Sequence, residues 1–202
     1  MTAITLNKKQ DVGFVALNMP NGGFTDDEFF EFCRLNDELK MERLSTGEII
    51  IMSLTGGETS VRNSELKLEI GLWNRKKKLG KVFDSSGGFK LPNTAVRSPD
   101  AAWIPTDKWE SLGDDQRKKF VPICPDFVRE LASNKRQIAE LKEKMQEYMD
   151  NGSRLGWLID PFKQITSVYR SSGEIEEVPF DGVLSGEDVM EGLSIAMTDL
   201  LD

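Results

Sequence analysis

The chain has 202 residues, of which 39% are hydrophobic and 30% charged, with a formal net charge of −8 and no histidine. That length can bury a core without disulfide or metal staples. The missing histidine excludes Ser-His-Asp and Cys-His catalysis and histidine-held zinc, so a catalyst must use carboxylates, lysine, hydroxyls or a carboxylate-held metal. Carboxylates suit hard cations such as Mg²⁺. The two cysteines, Cys33 and Cys124, are far apart and in no metal-ligand spacing. No apolar run at the N-terminus suggests a signal peptide, and none elsewhere approaches a membrane span. A reduced, cytoplasmic protein is expected. The acidic balance argues against nonspecific coating of nucleic acid. Two basic patches stand out locally, Arg75-Lys76-Lys77-Lys78 with Lys81 and Arg117-Lys118-Lys119. They read first as a solvated helix end and a solvated loop.

Residues 1–23 are polar and end in Gly22-Gly23, and are expected to form a flexible arm ahead of a single domain over 24–202. Thr25-Asp26-Asp27-Glu28 is a capping box that predicts a helix over about 26–36. Residues 41–44 and 48–53, joined by Ser45-Thr46-Gly47, read as a β-hairpin. A second helix is expected from 60 to about 78, with Leu66, Ile70 and Trp73 on one face and Gly80 at its end. Short strands follow at 81–84, 88–91 and 100–104. Residues 105–124 are a polar excursion with a short helix near 114–119. A strand at 127–131 leads to a third helix over 135–151, opened by Asn134 with Gln137 three residues on. An apolar strand at 155–159 turns at Asp160-Pro161 into a hairpin partner at 164–169. A strand near 176–179 and a short terminal helix complete the chain. This order implies an α/β (α+β) fold with a mixed sheet flanked by helices and additional hairpins.

Chemistry concentrates in two strands. Pro99-Asp100 puts an aspartate at a strand start, and Phe127-Val128-Arg129-Glu130-Leu131 puts a glutamate inside an otherwise apolar strand. A buried carboxylate needs a cation. Arg129 is not available, because neighbouring side chains on a strand point to opposite faces. A metal is one candidate and a lysine in a structural salt bridge is the other. On the third helix, Ile138, Leu141, Met145 and Tyr148 form an apolar stripe, with Lys144 on its flank and Lys142 farther off the other side. Lys144 is either a reaching or a snorkelling lysine. Trp73, Trp103, Trp109 and Trp157 favour packing over base stacking, and Gly56-Gly57, with no Gly-Lys-Ser/Thr after it, favours a turn over a phosphate cradle.

Pro99-Asp100 followed by Glu130 resembles the active-site signature of the PD-(D/E)XK nuclease superfamily. More closely, the chain resembles the Uma-two family of restriction endonucleases, once a domain of unknown function. The resemblance is carried by Gly47-Glu48-Ile49-Ile50-Ile51-Met52, Thr55-Gly56-Gly57-Glu58 with Arg62-Asn63, Val82-Phe83-Asp84-Ser85-Ser86 and Arg97-Ser98-Pro99-Asp100-Ala101. It continues through Cys124-Pro125-Asp126-Phe127-Val128, Lys144-Met145-Gln146-Glu147-Tyr148 and Gly156-Trp157-Leu158-Ile159-Asp160-Pro161.

The resemblance implies a restriction-endonuclease-like fold and Mg²⁺-dependent hydrolysis of DNA phosphodiester bonds, with Mn²⁺ as a substitute. It implies Asp100 and Glu130 as metal ligands, Glu58 as an extra ligand, with Glu65 its alternative, and Lys144 as the catalytic lysine. The superfamily's usual lysine, two residues after the glutamate, is Ala132 here, and a Ser-Pro-Ser-like loop is reduced to Ser133. Cutting a duplex with one site per chain suggests a homodimer. The rival reading is a nuclease fold without catalysis, acting as a binding or interaction module.

Overall fold

The computed structural model describes residues 5–7, 14–18 and 23–200, with side chains described for 23–198. The chain falls into two compact units. One comprises Met1–Leu54, Ser86–Ser98 and Gly113–Ile123, and the other Thr55–Ser85, Pro99–Leu112 and Cys124–Asp202.

The first unit holds β1 (Thr5–Asn7) and β2 (Phe14–Asn18), both within the stretch expected to be an arm. The remainder of residues 1–22 lies outside the described residues. The capping box at Thr25 and Glu28 is present and opens α1 (Asp26–Leu35). The hairpin forms as β3 (Lys40–Arg43) against β4 (Ile49–Met52), turning at Gly47 with φ +85°. The six-stranded sheet has the order β1-β2-β4-β3-β7-β6, closing on two short strands described below. Phe29, Met41, Ile49 and Val96 form its core. Glu42 is buried there and accepts hydrogen bonds from Arg97 Nη1 at 3.0 Å and the Ser98 amide at 2.8 Å.

The second unit begins with α2 (Gly57–Lys77), three residues earlier than the sequence suggests. Gly56 caps its N-terminus without a side-chain bond, so the glycine pair is a helix entrance. The helix ends at Lys78, which adopts the left-handed conformation with φ 58°. Gly80 therefore does not terminate the helix, as expected, but opens β5 (Gly80–Asp84). Its role is close approach: a Cβ there would lie 2.2 Å from the Ile104 carbonyl oxygen and 2.5 Å from the Trp103 ring.

In chain order come β6 (Phe89–Lys90) and β7 (Val96–Arg97) of the first unit, then β8 (Ala101–Pro105) and α3 (Thr106–Glu110) of the second. Next is α4 (Asp114–Lys118), the expected short helix, which belongs to the first unit. The second unit resumes with β9 (Phe127–Leu131), a 3₁₀ turn at Lys135–Gln137, α5 (Ile138–Asp150), β10 (Leu155–Asp160), β11 (Ile165–Arg170) and β12 (Ile175–Pro179). A small hairpin, β13 (Val183–Ser185) with β14 (Ser194–Ala196), precedes a terminal 3₁₀ turn.

The second sheet has the order β12-β11-β10-β9-β8-β5, and only β9 and β10 are parallel. Parallel neighbours need a crossover, and α5 supplies it. Asn134 accepts amide bonds from Arg136 and Gln137 and starts that crossover. On one face of the sheet, Leu66, Ile70 and Trp73 of α2 pack with Trp103, Phe127, Leu131, Trp157 and Ile159. On the other, Gly156 backs onto Met145 and Met149 of α5. Three of the four tryptophans are thus buried structural residues, and Trp109 meets Phe83 edge to face. Both cysteines are free.

Asn74 ties α2 to the sheet edge. Its amide exchanges two hydrogen bonds with Gly80 and its oxygen also accepts from Trp103 Nε1 at 3.0 Å. Because the Trp103 ring is held there, Gly80→Ala has no room to relax. It is expected to lower stability by about 1–3 kcal/mol, read as a fall in the thermal midpoint; an unchanged midpoint would show that the ring yields freely.

Candidate active site

Every residue of β9 is buried, including Arg129 and Glu130. Alternation sends Phe127, Arg129 and Leu131 toward α2 and Val128 and Glu130 toward α5. The two adjacent ionisable side chains are therefore contacted from opposite sides of the sheet.

On the α5 side, Lys144 Nζ lies 2.7 Å from Glu130 Oε1, with the lysine side chain only 11% exposed and the glutamate 5%. The Tyr148 hydroxyl donates to the same oxygen at 3.3 Å. Lys144 and Tyr148 are one helical turn apart, so one face of α5 delivers both. The ammonium also sits 5.9 Å from the centre of the Tyr148 ring. The flank of α5 that carries Lys144 is thus turned to Glu130, whereas Lys142 is exposed.

Asp100 precedes β8. The pairing Ala101↔Arg129, continued by one residue, sets Asp100 opposite Glu130. Its Oδ2 accepts the Leu131 amide at 2.9 Å, which fixes the aspartate beside the glutamate strand. A carboxylate anchored by a backbone amide has one oxygen held in place, which orients the other.

On the α2 side, Arg129 is fully buried and donates from Nη1 to Asn63 Oδ1 at 2.5 Å. Its Nε and Nη2 have no hydrogen-bond partner among the described residues. Burial pushes its pKa below the ordinary arginine value, while the charges of Asp100 and Glu130 push it up. Arg129 is thus an unanticipated buried cation near the carboxylates. Pleat geometry correctly denies it to Glu130 as a direct partner, but nothing in the apolar pattern marks it as fully enclosed.

The remaining residues singled out by sequence lie apart. Glu58 is exposed in the first turn of α2, and Glu65 is exposed farther along it. Among the described residues no group of three or more Asp, Glu, His or Cys side chains gathers as a metal site. The acids brought to this edge are Asp100 and Glu130. Two hard oxygen donors without a third acid still suit Mg²⁺, which takes one or two carboxylates and completes its shell with water and phosphate oxygens. Nearby, Asp126 is buried and receives both of its hydrogen bonds from Lys108 at 2.9 Å, a closed pair at the foot of β9.

A mixed sheet crossed by α5 between two parallel strands, with acids at the edges of adjacent strands, places the chain among α/β proteins of the restriction-endonuclease-like type. The chain belongs to the Uma2 family, described as "Putative restriction endonuclease", whose model matches residues 26–198. A similar solved structure is the crystal structure of "a putative nuclease belonging to DUF820" from Anabaena variabilis. It is 22% identical, with 88% of this chain and 97% of that chain covered and a TM-score of 0.71. No curated protein matches the chain. Among the described residues no helix is long and apolar enough to cross a membrane.

Asn63 accepts the hydrogen bond that Arg129 donates to α2. Asn63→Ala should therefore cost about 1–3 kcal/mol, the penalty of a buried donor left unmade, in a denaturant titration. A loss below about 0.5 kcal/mol would mean that water reaches the guanidinium.

Proposed function

We propose that this protein is a divalent-metal-dependent nuclease that hydrolyses DNA phosphodiester bonds at the Asp100–Glu130–Lys144 site. The observation that carries the reading is the Lys144–Glu130 contact of 2.7 Å beside a backbone-anchored Asp100. It supplies a lysine at the carboxylates although the position two residues after Glu130 is Ala132.

Asp100 and Glu130 would hold Mg²⁺, with Mn²⁺ as a substitute. The ion, when bound, supplies Lewis acidity toward a phosphate oxygen and lowers the pKa of water. The Leu131 amide keeps Asp100 in position. Tyr148 holds Glu130 Oε1 and keeps the carboxylate from turning away. Lys144 donates hydrogen bonds from a largely enclosed position, where a fixed cation stabilises charge developing on a phosphate more than it would in water. Its ammonium also orients the water that attacks phosphorus. Glu58, exposed in the first turn of α2, would be an additional ligand only to an ion already held by Asp100 and Glu130.

The substrate has to approach an acidic protein, so local cations must carry the contact. The exposed Lys76, Lys77, Lys78 and Lys81 at the end of α2 and the start of β5 form such a patch. Cleavage of both strands of a duplex by one site per chain is met by two copies.

The parent should cut DNA in Mg²⁺ or Mn²⁺ and stop when the metal is chelated. Lys144→Ala should slow cleavage by about 10²- to 10⁴-fold while Mn²⁺ binding, followed by electron paramagnetic resonance, persists. Asp100→Asn should lose both. Mn²⁺ binding with no cleavage by the parent would favour a non-catalytic binding module on the same fold, and a Lys144→Ala variant as active as the parent would remove the lysine from the mechanism.

A further inference from the structure

Helix α2 is apolar on two sides. Leu66, Ile70 and Trp73 are buried against the second sheet. On the solvent side Val61 is 60% exposed, Leu68 50% and Leu72 37%, and Leu79, just past the helix end, is 41% exposed. Glu65 and Arg75 are also exposed. At about 100° per residue, positions 61 to 75 of this set fall within an arc of about 80°, roughly 140° round from the buried face.

The five helical positions 61, 65, 68, 72 and 75 follow the alternating four- and three-residue spacing of a helix–helix seam, and Leu79 lies beyond the left-handed Lys78. From Glu65 to Arg75 the residues along it read acid, apolar, apolar, base. That order is complementary to its own reverse. Laid antiparallel about a two-fold axis near residue 70, Leu68 meets Leu72 of the second copy and Glu65 meets Arg75, and each contact occurs twice. A parallel two-fold pairing would instead oppose Glu65 to Glu65 and Arg75 to Arg75. Like charges facing one another would reject that arrangement.

We infer that the solvent face of α2 is the homodimer interface of this protein, formed by antiparallel packing of α2 on α2 from a second copy with reciprocal Glu65–Arg75 ion pairs. The inference rests on the two-copy reading above but not on nuclease activity. Isologous contact of one patch with itself is what a two-fold dimer requires. A 21-residue helix is about 31 Å long. A pair of such helices presents less than the usual ~1,600 Å² of a stable complex, the size class of weak and transient associations.

Sedimentation of the full chain from about 1 to 100 µM, the range in which so small a contact dissociates, should show a monomer–dimer equilibrium. Glu65→Arg and Arg75→Glu alone should each weaken it by about tenfold or more. The double exchange, Glu65→Arg with Arg75→Glu, restores opposite charges across the axis and should return the constant to within about threefold. Leu68→Glu should leave a monomer with an unchanged circular dichroism spectrum. Direction is read with cysteines, in a Cys33→Ser background. A mixture of Leu68→Cys and Leu72→Cys chains should cross-link between unlike chains under mild oxidation, whereas a parallel pair would link like with like. A strictly monomeric parent, a dimer indifferent to both charge reversals, or like-with-like cross-links would each overturn the proposal. All of these readouts are independent of cleavage, so a failed nuclease assay leaves this test standing, and the reverse.

Discussion

Glu130 lies in a strand with no exposed residue, and much of the second unit follows from how that carboxylate is partnered. An unpaired carboxylate in such a place costs several kcal/mol, on the order of 3–5 when a partner is removed. The partner is Lys144, and bringing it there fixes the direction of α5 over the sheet. The same crossover then makes β10 parallel to β9 and lays Met145 against Gly156. A contact suited to chemistry is therefore also a contact that orients the fold.

Arg129 imposes the converse requirement on the other face. Its guanidinium needs an acceptor from α2, and Asn63 is that acceptor. One strand thus carries adjacent opposite charges, each answered by a different helix. Two donors of Arg129 stay unpartnered among the described residues, an energetic cost that well-packed apolar replacements would not carry. The positive charge lies near Asp100 and Glu130, whose charges favour the protonated guanidinium, while Lys144 meets Glu130 from the opposite face.

Local signals read well where a few neighbouring residues suffice. The Thr25–Glu28 capping box, the Gly47 hairpin and the Asn134 cap are each decided by short-range hydrogen bonds, and each forms as expected. Lys144 was legible as a flank residue because the stripe of Ile138, Leu141, Met145 and Tyr148 fixes helix phase. Short strands were not. Each of β7, β13 and β14 has two or three residues, too few to show a period of two. The short α3 helix was missed too, because five residues within a polar stretch carry no amphipathic signal. Gly80 was misassigned because a glycine after a helix resembles a cap, whereas here it admits the Trp103 ring and a strand backbone.

The sequence by itself limited the kind of chemistry open to this protein: with no histidine, any catalysis is left to carboxylates, lysine, hydroxyls or a carboxylate-held metal. Periodicity also determined which side of α5 would be buried. Only the tertiary structure decided that the Lys144 flank faces Glu130 rather than water, since helix phase does not say where across a sheet the helix lies. It likewise decided that Asp100 is held by the Leu131 amide, that Glu58 stands apart in solvent and that Arg129 is enclosed on the opposite face. Each of these depends on strand order and register, and the pairing of β8 with β9 joins residues about thirty positions apart in the chain, a distance over which local propensity has no reach.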